Sequence, residues 1–146
     1  MRNGNGYFEV REYKVTSERF QDGSTHVNAE VEMQVEGRRV RRAATGNGPV
    51  HALDAALRDC LMSNFPELDD VRLSDYRVSV VDAVAGTGAV GGTGAKVKIL
   101  IESTDGRERW DAGCVSENIV DASFEALCST AVMGIIRARN GRRRSA

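Results

Sequence analysis

One pattern of strands, turn, loop and helix occurs twice in this 146-residue chain, and such self-similarity predicts two copies of one supersecondary unit. Around Glu36-Gly37-Arg38, and again around Asp105-Gly106-Arg107-Glu108, a turn separates two strand-like runs. Each second run leads through a loop into a helix, at residues 46–57 in the first half and 113–127 in the second. The upstream strands match as well, Tyr13-Lys14-Val15-Thr16 against Tyr76-Arg77-Val78-Ser79. The fold class expected is therefore α+β: two pseudo-symmetric βββα units, antiparallel sheet covered by two helices.

Hydropathy periods place the elements. Residues 8–17 read as a strand with Phe8, Val10, Tyr13 and Val15 as apolar positions, and the change of phase implies a bulge. Residues 25–36 alternate cleanly, Val27, Ala29, Val31, Met33 and Val35 on one face with polar residues on the other, the mark of a half-buried strand. Glu36-Gly37 turns the chain back into an arginine-bearing strand. Pro49 fits the first turn of a helix, along which Val50, Leu53, Leu57 and Leu61 recur until Asn64-Phe65-Pro66 stops it. The second copy begins at Val71. It differs in residues 85–95, where Gly-Thr-Gly-Ala appears twice and glycine is too dense for element interior, so a mobile loop is expected there. Val97, Ile99 and Ile101 then alternate, Asp105-Gly106 turns, and a last helix carries Ile119, Val120, Phe124, Leu127, Ala131, Val132 and Ile135. The organisation expected is a flexible lead-in at 1–7, one domain at 8–136 with repeat units 8–70 and 71–136, and a basic disordered tail at 137–146.

Composition narrows the function. Hydrophobic content of 41% and charged content of 28% fit a soluble globular domain. No unbroken apolar run approaches the roughly 20 residues of a membrane span, and the first residues show no signal-peptide core, so a cytoplasmic location is expected. Three cysteines, Cys60, Cys114 and Cys128, are too far apart for a zinc knuckle and odd in number for a disulfide framework. The tail holds five of the 20 basic residues and none of the 21 acidic ones. Without interleaved aromatics it reads as a solvated end, with nucleic-acid binding the weaker alternative. His26 and His51 belong to no set with metal-ligand spacing, and Gly86 and Gly88, Gly92 and Gly94 precede a strand without the Gly-Lys-Ser/Thr of a phosphate loop. No catalytic residue, metal or cofactor is expected.

The two helix starts remain. A helix N-terminus presents unpaired N–H groups and a positive dipole end, which attract a carboxylate. Asn47-Gly48-Pro49-Val50 offers close approach beside an apolar wall, and Ser116-Glu117-Asn118-Ile119 offers side-chain donors. On chemistry alone, Asn47, Ser116 and Asn118 also read as ordinary helix caps.

Gly46-Asn47-Gly48-Pro49-Val50 with Ala52-Leu53-Asp54-Ala55-Ala56-Leu57, Val71-Arg72-Leu73 with Asp75-Tyr76-Arg77-Val78, residues 94–103, and Val115-Ser116-Glu117-Asn118-Ile119-Val120 with Ala122-Ser123 match one pattern. Together they resemble the C-terminal regulatory domain of the 2-isopropylmalate synthase and citramalate synthase family, closer to the citramalate branch. The resemblance implies a homodimerising domain of two βββα units. It implies binding of isoleucine or leucine as end-product effector, and feedback inhibition of a TIM-barrel catalytic domain that condenses acetyl-CoA with a 2-oxo acid. Carried over residue by residue, the effector site would use Asn47, Gly48, Pro49, Val50 and His51 at the first helix start. It would add Leu73, Tyr76 and Val80 from the next strand, Thr93 and Val97 after the glycine loop, and Ser116 and Asn118 at the second helix start. Thr93 is chosen over Thr87 for its spacing to Val97. His51 stands where the family usually has Asp or Asn, suited to the effector's ammonium group, a role that neutral imidazole fills through one nitrogen. The alternative function is a dimerisation or protein-interaction module that has lost its effector.

Overall fold

The alternation of residues 25–36 decides the first half of the fold. Val27, Ala29, Val31, Met33 and Val35 are all buried on one face of β2 (Thr25–Val35). That strand lies between β1 (Phe8–Arg19) and β3 (Arg38–Gly46) in a three-stranded antiparallel sheet. The computed structural model describes residues 6–81 and 96–145, so Thr87, Thr93 and the doubled glycine loop lie outside the described residues. The chain divides into two units, Met1–Asp69 with Ile135–Ala146 and Asp70–Gly134.

In the first unit, Phe8, Val10, Tyr13 and Val15 sit opposite Val35, Met33, Val31 and Ala29. The phase change read from the sequence is a register shift between Val10 and Glu12, which makes Arg11 the extra residue of a bulge. Glu36 and Gly37 turn the hairpin with φ of 49° and 81°, the left-handed pair that a two-residue turn requires. On the outer face Arg41 reaches Glu12 at 3.0 Å, Glu30 at 3.4 Å and Glu32 at 2.8 Å, an exposed network of small energetic weight.

Helix α1 (Pro49–Leu61) covers the inner face and buries Ala52, Leu53, Ala56, Leu57, Cys60 and Leu61. Each buried leucine contributes on the order of 1.5–3 kcal/mol. The Cys60 thiol donates to the Val31 carbonyl at 3.4 Å, and burial pushes its pKa up to about 11, so it acts as a small core residue. Buried Phe65 and a 3-10 turn (Pro66–Asp70) follow.

The second unit repeats the plan: β4 (Arg72–Val80), β5 (Val97–Thr104) and β6 (Arg109–Ser116) form a second antiparallel sheet in the order β4-β5-β6. Its first strand carries the same bulge, between Leu73 and Asp75, with Ser74 the extra residue. Ile99 and Ile101 are fully buried on the inner face. At the expected Asp105-Gly106 turn, the Asp105 carboxylate accepts the N–H groups of Arg107 and Glu108, both at 2.8 Å. The Glu108 and Arg107 amides hold that carboxyl below the usual range.

Helix α2 (Ile119–Ser145) completes the chain. Phe124, Leu127 and Ile135 are buried, and the Trp110 indole N–H donates to the Thr130 carbonyl at 2.9 Å. Where the sequence suggested a disordered basic tail from residue 137, α2 runs on through the arginines. Arg139 explains part of this. Within the first unit its guanidinium lies 3.5 Å from buried Glu67, 5.0 Å from the Phe65 ring centroid and 5.7 Å from that of Tyr7. The stretch Ile119–Gly141 is long and apolar enough to cross a membrane by length and composition alone. Its buried residues and the acids Asp121 and Glu125 fit a core helix equally well.

Candidate functional site

The two helix starts share a place in the repeat but are finished differently. At α1, β3 runs straight into the helix because Gly46 has no side chain: a Cβ there would stand 2.6 Å from the Ala52 backbone nitrogen. Gly48 is the N-cap residue in extended conformation, and among the described residues no side chain caps the helix. Pro49 at the first helical position has no N–H to satisfy. The first turn contains no acidic residue, and its first helical backbone bond runs from Ala52 N–H to the Gly48 carbonyl. The N–H groups of Val50 and His51 are therefore uncapped donors at a positive dipole end.

His51 is exposed, and its Nδ1 accepts the Asn47 backbone N–H at 3.2 Å. A backbone N–H only donates, so Nδ1 is the acceptor in this bond and Nε2 is the ring's N–H donor. This changes the role expected of His51. The nitrogen left for a ligand is a donor, matched to a carboxylate, while an ammonium group would need an acceptor.

At α2 the start is closed by its own residues. Asn118 Oδ1 accepts the N–H groups of Val120 and Asp121, both at 3.0 Å, and Ser116 Oγ accepts the Asn118 N–H at 3.1 Å. Asp121 adds negative charge to the first turn. Ser116 and Asn118 therefore cap this helix, whereas Asn47 does not cap α1.

The remaining expected residues share a surface within the second unit. Leu73, Tyr76 and Val80 pair with Ser103, Ile101 and Val97, and Val97 pairs with Ser116, so all of them fall on the inner face of the sheet. Val80, Val97 and Ser116 form one row across three strands. Tyr76 also holds the helix. The Ser123 hydroxyl donates to the Ile119 carbonyl at 2.7 Å, which leaves the Tyr76 hydroxyl as the donor in their 2.9 Å bond. Sequence reasoning missed Ser123, although its helical position one turn after Ile119 was the available signal. Thr93 lies outside the described residues.

Among the described residues, no three His, Cys, Asp or Glu side chains group to hold an ion. Burial raises the thiol pKa of Cys114, aided by nearby Glu125 and Asp121, and pushes that of Cys128 far up, so neither is a ready thiolate.

Residues 1–134 match the family described as the LeuA allosteric (dimerisation) domain. Over 132 residues, 90% of this chain, the sequence is 39% identical to an (R)-citramalate synthase of Aquifex aeolicus and 37% identical to one of Streptomyces coelicolor. It is 43% identical over 122 residues to an (R)-citramalate synthase of Geobacter sulfurreducens. The matched region spans 24%, 24% and 22% of those proteins, so it corresponds to about a quarter of each.

Proposed function

This chain belongs to the LeuA allosteric (dimerisation) domain family, and from that premise we propose that it is the dimerising, amino-acid-sensing part of a citramalate synthase. Its effector is a branched-chain amino acid, isoleucine or leucine, formed downstream. Binding inhibits a separate catalytic domain that condenses acetyl-CoA with a 2-oxo acid in the cytoplasm. The observation that carries this reading is the uncapped start of α1. Among the described residues no side chain caps the Val50 and His51 N–H groups, and the His51 Nε2–H adds a donor at the same turn. An α-carboxylate satisfies all three. The ammonium group then falls to an oxygen acceptor, for which the Asn47 side chain is the nearest in sequence. Leu73, Tyr76, Val80 and Val97, with Thr93, Ser116 and Asn118, are proposed as the remaining contacts.

A ligand that binds only the folded state at 100 times its dissociation constant adds about 2.7 kcal/mol of stability. Thermal unfolding with isoleucine, leucine, valine and their 2-oxo acids therefore tests the reading. We expect a rise in Tm with at least one branched-chain amino acid, abolished in Gly48→Asp, whose carboxylate repels the ligand's own. A Gly48→Asp variant that binds normally would place the carboxylate elsewhere.

His51 favours a second reading, a dimerisation module without an effector, because its outward nitrogen is a donor where the family pattern calls for an acceptor. On that reading the dimer forms and no amino acid in the panel shifts Tm.

A further inference from the structure

One helical position is filled by opposite chemistry in the two copies. The backbone bond that opens α1 runs from the Ala52 N–H to the Gly48 carbonyl, and the one that opens α2 from Ala122 to Asn118. Ala52 therefore corresponds to Ala122, and Leu53 to Ser123. On the first strand of each unit Tyr13 and Tyr76 correspond, each two places after the bulge residue. Leu53 and Ser123 are both fully buried. A leucine thus satisfies the fold at this position, and its burial contributes on the order of 1.5–3 kcal/mol that a serine largely forgoes. The second unit gives the place to a hydroxyl.

That hydroxyl is committed at both ends. It donates to the Ile119 carbonyl at 2.7 Å and accepts from the Tyr76 hydroxyl at 2.9 Å. Two bonds thus connect the Tyr76 side chain on β4 to the first turn of α2, wholly within the second unit. The helix end of this connection is fixed, because Asn118 caps the N–H groups of Val120 and Asp121 on either side of it. The tyrosine is the member able to move, since its side chain can rotate between staggered positions. A buried tyrosine hydroxyl ordinarily needs a protein partner. Tyr76 is only half-buried, so water would satisfy it as well. What the serine adds is a place for the ring, at the expense of apolar burial.

We propose that Ser123 is a positioning residue for Tyr76, holding its ring in the attitude in which it meets the effector. This rests on the effector reading above, in which Tyr76 is a contact. Ser123 is fully buried, so it acts through the tyrosine and does not touch the ligand. Without its hydroxyl the Tyr76 side chain turns toward water, and the effector must order the ring again on binding. One hydrogen bond of this kind corresponds to about three- to tenfold in affinity.

The test is a double-mutant cycle read by titration calorimetry of isoleucine, leucine and valine against wild type, Ser123→Ala, Tyr76→Phe and the double variant. Alanine suits a helix interior and removes one oxygen, so the fold is kept, which circular dichroism checks. We expect Ser123→Ala to weaken binding by about threefold or more, and to weaken it no further once Tyr76 is phenylalanine. A merely structural serine would not show that dependence on the tyrosine hydroxyl. Equal losses from Ser123→Ala with and without Tyr76→Phe overturn the positioning role, because the serine then acts by another route. Ser123→Ala binding as wild type overturns it too and leaves the effector reading standing. Wild type binding none of the three amino acids overturns it together with that reading.

Discussion

At Gly46 a side chain would have to displace backbone, since its Cβ would meet the nitrogen of Ala52 at 2.6 Å and its Cα at 3.0 Å. Neither atom swings aside as a flexible side chain would, so Gly46→Ala must part the end of β3 from the first turn of α1. Overpacking of this kind costs about 1–3 kcal/mol. Urea denaturation should show that loss, and a variant as stable as wild type would mean the strand–helix junction is looser than its geometry implies. A Cβ at Gly48, two residues on, would meet nothing within 4 Å. Two glycines in one short motif thus do different work, one making room for backbone and the other leaving a helix end bare. The sequence marks both as glycine and cannot separate them, because the difference lies in what folds against each. The same holds for His51: its position in the motif is legible, but the nitrogen it keeps for a ligand depends on where the Asn47 amide points.

Elements set by local periodicity were readable, and those set by distant partners were not. The five inward residues of β2, the bulge in β1 and the turns at Glu36-Gly37 and Asp105-Gly106 follow from alternation and turn chemistry, which a strand carries in its own residues. The end of α2 does not. Its arginines read as a solvated tail until Arg139 is seen beside Glu67, Phe65 and Tyr7, residues remote from it in the chain. Arg139 is partly exposed, so its ion pair alone is worth little; two aromatic faces and a Glu67 side chain only 5% exposed raise the stake. Arg139→Ala should lower stability by about 1 kcal/mol or more, and Arg139→Lys should recover only part, because a planar guanidinium stacks where an ammonium does not. Thermal melts of the three proteins check this, and equal Tm values would show that α2 ends independently of these contacts.

Across the molecule, duplication supplied the plan and divergence supplied the chemistry. The units agree in strand order, in bulge position and in the tyrosine that follows the bulge, yet one helix start is bare and the other capped. A family described by its dimerisation sets the expectation for the assembled state: sedimentation equilibrium at micromolar concentration should give twice the chain mass of 15.9 kDa. A monomer throughout that range would remove the dimer from the proposal. The shared bulge also has a consequence for how such chains change length. Because Arg11 and Ser74 oppose no partner of their own, each is a spare residue that its strand can lose while every later side chain keeps its side of the sheet. Losing a residue farther along, at Ser79 for instance, would throw Val80 to the opposite side. Two places in this domain thus tolerate a single-residue gap, and they are the same place counted twice.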